Sequence, residues 1–210
     1  MRLAASDRRH QLLGVARDVF AARGFHATSM DDVAVAAGVT KPVLYQHFLS
    51  KRALYAELLE VVGEELLGAI EAAAGSVSTG RARVEQGFEA YFRYVSENRS
   101  SFRLLFGASV RNDDEFARVA ERVIDEIAEA ISGFIEIDAT AEHRRVLAHA
   151  LVGVSEATSR RALSDDDAEH DPQRLAGWLS EMAWFGLRGV RSDDTVPGAV
   201  GARRDEGSSD

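Results

Sequence analysis

The sequence has no cysteine, three prolines and only two lysines, and it offers no strand pattern, no membrane-length apolar run and no helical histidine pair. Each absence excludes something. Without cysteine there are no disulfides, thiolate metal sites or cysteine nucleophiles. No stretch approaches the roughly 20 apolar residues that cross a bilayer. Arg8, Arg9, Arg17 and Asp18 interrupt the apolar positions of "MRLAASDRRHQLLGVARDVF", which removes the core of a secretory signal. A cytoplasmic protein without membrane association is expected. His143 and His149 are six residues apart, on different helix faces, so neither has a partner at the three or four spacing of a helical metal site. Nothing resembles a phosphate-cradling glycine loop or a nucleophile elbow. No enzyme activity, metal or cofactor is expected.

The sequence instead reads as helix after helix. Apolar residues recur at three and four spacing in Leu12, Leu13, Ala16, Val19 and Phe20, in Leu54, Leu58, Val61, Val62 and Leu66, and in Val119, Val123, Ile127 and Ile131. With no sustained β-branched alternation between turn signals, the fold class predicted is all-α. Caps mark the boundaries. Ser6 or Asp7 opens a first helix that stops near Gly24, and Ser29 opens a second, closed by Gly38. Thr40 opens a third ending near Phe48, and Ser50 a long fourth to about Ala74. Further helices are predicted near 80–98, 100–108, 113–135 and 140–163, with a last one opened by Asp171 and carrying Pro172 at its first position. The expected organisation is a small three-helix unit over 1–50, a helical bundle over 51–191 whose segment 51–74 connects the two, and a disordered tail over 192–210.

The net charge of −9 disfavours a nucleic-acid partner until its distribution is considered. Through Tyr55 there are eight bases and four acids, giving +4, which leaves 17 bases and 30 acids, or −13, for the remainder. Both lysines, Lys41 and Lys51, lie in or just after "GVTKPVLYQHF". A basic end on an acidic chain is the pattern of a polyanion-binding segment.

Two short helices joined by "AGVT" match the helix-turn-helix arrangement, whose second helix lies in the DNA major groove. At about 100° per residue, Leu44 and Phe48 project to one side of "TKPVLYQHF". Pro42, Val43, Tyr45 and Gln46 project to the other, with Lys41 and His47 on the flanks. Pro42 fits the first turn, where its missing N–H has no intrahelical partner anyway, and it pushes Thr40 or Lys41 into the role of non-helical cap. Its compact ring can approach a groove closely and lie against a thymine methyl. Tyr45, His47 and Lys51 supply donors or charge for phosphates; Lys41, Pro42 and Val43 are the candidate base readers.

The region from Arg8 to about Leu59, and above all "FAARGFHATSMDDVAVAAGV" and "LYQHFLSK", resembles the N-terminal domain of the TetR family of one-component transcriptional regulators. The resemblance implies an all-helical homodimer with a three-helix head on a double-stranded DNA operator and a ligand-binding, dimerising helical body. By motif position it implies phosphate contacts from Ser29, Thr40, Tyr45, His47 and Lys51, and base reading by Lys41, Pro42 and Val43. Asp31 departs from the pattern, being an acid where some members place a basic or polar groove contact.

In that setting the stretch "GFEAYFRYVSENRSSFRLLFG" reads as wall material for an apolar pocket, with Phe88, Tyr91, Phe92, Phe102, Leu105, Phe106, Phe116 and Leu151 as candidates. The pattern is similar to TetR-type regulators of fatty-acid metabolism that sense long acyl-CoA ligands, which implies a small lipophilic effector and, by the family's habit, repression. Arg81, Arg83, Arg99, Arg103 and Arg111 are the cations available to a ligand phosphate. His149, amid apolar neighbours, reads as a core histidine. Dimerisation is expected on the last two long helices, with Leu151, Trp178, Trp184 and Phe185 as contacts. Two rival classes are weaker. An all-α enzyme lacks a catalytic motif, and a helical interaction module leaves the local charge and the outward Tyr45–His47 face unexplained.

Overall fold

A computed structural model describes residues 5–164 and 171–189, and among them the chain forms ten helices. The expected tail over 192–210 lies outside the described residues. Four helices make up the head and its connection: α1 (Ala5–Ala27), α2 (Met30–Ala36), α3 (Lys41–His47) and α4 (Lys51–Gly75). The body continues through α5 (Gly80–Glu97), α6 (Arg99–Leu105), α7 (Ala108–Arg111), α8 (Asp114–Phe134), α9 (Ala141–Ser164) and α10 (Pro172–Arg188).

Local chemistry sets most of these boundaries. Ser29 and Asp32 form a reciprocal capping box at the start of α2, and Ser50, Thr79 and Asp113 cap α4, α5 and α8 by accepting from first-turn amides. Gly38 turns the chain out of α2 with φ 64°, a conformation that costs glycine nothing and most residues about 1 kcal/mol or more. Thr40 rather than Lys41 is the extended cap of α3, and Pro42 stands in the first turn. The first helix breaks at Gly24, where φ is 78° and ψ 166°, and a short helical stretch beyond the kink runs on to Ala27. One expectation needs correction. The single helix near 100–108 is two, α6 and α7, because the chain leaves the helix at Phe106 and Gly107 caps a new turn.

α4 is the spine. It packs on α1 and α6 at the head end and on α5 and α8 in the body, while α9 lies on α8 and α10 on α5. Gly63 lets α4 and α8 approach closely, since a Cβ there would fall 2.3 Å from Val123 Cγ1. One apolar core runs without interruption from Leu12 and Phe20 through Leu58 and Val62 to Ile127 and Leu187. None of the described helices is long and apolar enough to cross a membrane.

Candidate nucleic-acid interface

The recognition candidate, α3, is anchored by Leu44 and Phe48, both buried, as the helical wheel requires. Its other flank faces solvent: Lys41, Pro42, Tyr45 and Gln46 are exposed, Tyr45 to 43%, and Val43 and His47 are half-buried. Ser29 and Thr40 are exposed at the starts of α2 and α3. The Thr40 hydroxyl makes no cap hydrogen bond, whereas Ser29 is occupied by Asp32, accepting from its amide at 3.1 Å while Ser29 N donates to the carboxylate at 2.8 Å. The Ser29 hydroxyl also donates to the Asp32 carboxylate at 2.5 Å, and this bond first, then that from Ser29 N, with Arg23 beyond, holds the Asp32 carboxyl below the usual carboxylate range.

Contacts reaching across the sequence fix the pose of this flank. The Arg9 guanidinium forks onto Glu57 at 2.7 and 3.0 Å, lies 4.6 Å from the Phe48 ring centre and donates to the His47 carbonyl, fastening the end of α3 to α1 and α4. Lys41 Nζ donates to Asp31 Oδ2 at 2.8 Å, so a candidate base reader is joined to the acid that departs from the family pattern. Lys51 has internal partners that the spacing did not suggest. Two of its three N–H donors are given to the carbonyls of Phe25 and Thr28, each at 2.8 Å, and its ammonium rests 4.2 Å from the Phe25 ring centre. Both carbonyls lie at the C-terminal end of α1, Phe25 in its last turn and Thr28 just beyond it, where a cation is a natural partner. Sequence spacing gave no sign of the roles of Arg9 and Lys51, because their partners lie 23 to 48 residues away.

The head meets the body at a second cluster. Phe25 packs edge-on against Phe116 and Tyr55, and Phe25 N donates to Ser109 Oγ at 3.3 Å. Arg52 donates to Asp113 at 2.8 Å and to Glu115 at 2.7 Å while lying 4.7 Å from the Phe116 ring centre. The guanidinium holds the Asp113 carboxyl below its ordinary range.

A cavity of about 80 Å³ lies in the body between α4, α5, α8 and α9, with an almost wholly apolar lining. Phe88, Tyr91, Phe106 and Leu151 line it, as do Leu66, Ile70, Ile127 and Ile131, which the aromatic reading missed. Phe92, Phe102, Leu105 and Phe116 do not. Phe92 stacks behind Phe88, Phe102 and Leu105 fill the core around α6, and Phe116 sits at the head–body junction, drawn there by Phe25 and Tyr55. The Tyr91 hydroxyl is buried without a hydrogen bond of good geometry, and burial pushes its titration upward. Of the candidate cations, Arg83 lines the cavity and pairs with Glu136, and Arg111 donates to the Phe106 carbonyl.

Trp178, Met182 and Phe185, at successive turns of α10, are more than half exposed, and Val146 and Val154 are exposed on α9. Trp184 is only half-buried and faces α5 near Gly80, and Leu151 faces the cavity, so neither belongs to this outward apolar stripe. His149 corrects its expectation. It is exposed rather than in the core, and it bonds Asp125 at 2.9 Å and the Arg145 carbonyl at 3.0 Å. Both interactions raise its titration above the ordinary histidine value. The described residues contain no cluster of metal-ligating side chains.

Comparison with known proteins agrees with this geometry. Residues 12–58 match the family model for bacterial regulatory proteins of the tetR family, and residues 80–186 match a tetracyclin repressor-like C-terminal domain. The chain is 34% identical over 191 residues to the HTH-type transcriptional activator FasR of Mycolicibacterium smegmatis, covering 90% of this chain and 87% of that one. Its fold is similar to that of a TetR-like transcriptional regulator from Rhodococcus sp. RHA1, with a TM-score of 0.72, 30% identity, and coverage of 90% and 100%. At 15% identity it shares the fold of the regulator FadR from Bacillus subtilis, solved in complex with stearoyl-CoA, with a TM-score of 0.73 and coverage of 87% and 99%.

Proposed function

The chain belongs to the tetR family of bacterial regulatory proteins, and from that premise we propose that it binds a palindromic operator as a homodimer in the cytoplasm and is switched by a small lipophilic ligand such as a fatty acyl-CoA. The observation that carries the DNA half of this reading is the exposed flank of α3 opposite buried Leu44 and Phe48. Lys41, Pro42 and Val43 meet base edges; Thr40, Tyr45, His47 and Ser29 meet phosphates. Lys51 acts chiefly as an internal strut that sets the α1–α2 turn. The stripe of Trp178, Met182 and Phe185, with Val146 and Val154 beside it, supplies the two-fold contact, and pairing there sets two recognition helices about 34–36 Å apart, one turn of DNA.

The ligand half rests on the cavity. Its volume of about 80 Å³ is well below the roughly 300–1,000 Å³ of an occupied ligand pocket. A lipophilic chain therefore enters only by parting the helices around it. α4 and α8 both line the cavity at one end and reach the head at the other, α4 through Lys51 and Arg52, α8 through Asp113 and Phe116. Parting them shifts the population of head spacings, and operator affinity changes by the ligand's differential affinity for the two states. FadR, of like fold, holds stearoyl-CoA, which supports the ligand class. The sequence reading expected repression, while the relative FasR is named an activator. The same dimer gives either sign, according to whether its operator overlaps the promoter or lies beside it.

The test is fluorescence anisotropy with duplexes flanking the protein's own gene, at several salt concentrations, with and without palmitoyl-CoA. A steep salt dependence, about 0.9 in log K per phosphate neutralised for each log unit of salt, and a change on adding the thioester are expected. A folded dimer that binds none of these duplexes at low salt overturns the DNA reading; binding insensitive to palmitoyl-CoA overturns the ligand class.

A further inference from the structure

We propose that the Asp31–Lys41 pair is a composite reader of a G·C base pair, with Asp31 taking part in specificity rather than merely interrupting the basic face. The inference rests on the operator-binding reading above. Asp31 is the second residue of α2 and Lys41 the first of α3, and their ion pair of 2.8 Å bridges the two helices beside Pro42 and Val43. Both side chains are about half exposed, at 62% and 48%, on the flank that faces away from the head's core.

The bond counts decide what such a pair can recognise. An ammonium has three N–H donors and no acceptor; a carboxylate has two oxygens and only accepts. With one bond spent between them, Lys41 keeps two donors, and Asp31 keeps lone pairs directly next to those donors. The pair presents the order donor, donor, acceptor. Across the major groove a G·C pair presents N7 and O6, both acceptors, followed by the cytosine amino donor. The two orders are complementary at all three positions. An A·T pair presents acceptor, donor, acceptor. Lys41 then satisfies one group and Asp31 one more, and thymine O4 meets a carboxylate, acceptor against acceptor.

The carboxylate also governs where the lysine goes. A lone lysine is a mobile point charge that settles on any phosphate. Coupled to Asp31 it carries no net charge, and the carboxylate is repelled by the backbone, so the pair gains most at the groove floor. Such coupling exchanges affinity that ignores sequence for affinity that depends on it.

Duplexes selected from a random library by the full-length wild type, Asp31→Ala, Asp31→Asn and Lys41→Ala at one salt concentration test this. The expected wild-type motif holds, in each half-site, one position where G·C is preferred by about tenfold or more, the discrimination of one good base contact. In Asp31→Ala and Lys41→Ala that position approaches parity while the rest of the motif persists. In Asp31→Asn the preference moves toward A·T, because a carboxamide matches the adenine N6 and N7 pair. Asp31→Ala also binds random duplex more tightly and with a steeper salt dependence, its lysine now free for phosphate. Because both side chains are exposed, thermal melts of the variants are expected to match the wild type. An Asp31→Ala protein that selects the wild-type motif with unaltered preference at every position overturns the inference and leaves the operator-binding reading standing. A wild type that selects no motif brings down both.

Discussion

The Phe25 ring meets the Phe116 ring edge-on, with centroids 4.7 Å apart. Phe25 follows the Gly24 kink near the end of α1, and Phe116 lies in the first turn of α8, whose far end lines the cavity through Ile127, Ile131 and Phe134. In the proposed mechanism this contact and the Arg52 bridge carry movement of the body to the head.

Arg52→Ala tests that route. Its ion pairs with Asp113 and Glu115 are surface pairs, so the loss of stability is expected to stay below about 1 kcal/mol. Communication is expected to suffer more than stability. The change in operator affinity produced by palmitoyl-CoA should shrink by about 0.5–2 kcal/mol, read by anisotropy with and without the thioester. An unaltered ligand effect would move the route elsewhere.

Lys51→Ala separates a strut from a phosphate contact. Removing an ammonium bonded to two carbonyls leaves Phe25 O only its long bond from Thr28 N and takes the ammonium from Thr28 O, at a cost of about 1.5–3 kcal/mol for hydrogen bonds to a charged group. The melting temperature should therefore fall in the absence of DNA. A variant that melts like the wild type yet loses about 0.9 from the salt slope would return Lys51 to the phosphates.

Tyr45→Phe makes the opposite prediction. The ring is exposed and its hydroxyl supports nothing in the fold, so stability should change by no more than about 0.5 kcal/mol. Operator binding should weaken by about 0.5–1.5 kcal/mol, the worth of one hydrogen bond, at every duplex sequence alike. Titration of wild type and variant against operator and mismatched duplexes checks both statements.

His149 gives a pH prediction whose sign follows from its partners. The hydrogen bond to Asp125, then that to the Arg145 carbonyl, raises its folded-state titration above the unfolded value near 6.5. The stabilisation is therefore complete below the unfolded value and is lost as pH rises through the folded one. It is small, because the pair is exposed. Proton NMR should place the His149 midpoint above about 6.5 in the wild type and lower in Asp125→Asn; an identical midpoint in the two would show that the pair does not persist in solution.

Much of the head was legible from the chain alone, and the reason is range. A cap is settled within three residues and a helix face within four, so Ser29, Thr40, Ser50 and Pro42 announced α2, α3 and α4, and periodicity put Leu44 and Phe48 inside and Tyr45 outside. The cavity was half legible. Composition identified aromatics but not which of them face one another, and the aliphatic lining from α4 and α8 carried no local mark.

What the sequence by itself determined is the order of helices, the exposed flank of α3 and the basic end on an acidic chain. Only the tertiary structure decided the partners of the long cations: Lys51 on the Phe25 and Thr28 carbonyls, Arg9 on Glu57, Arg52 on Asp113, and Lys41 on Asp31. Helical periodicity is written every few residues. The partner of a flexible charged side chain depends on which acceptor the folded backbone brings within about 3 Å, and in these four cases that acceptor lies 10 to 61 residues away.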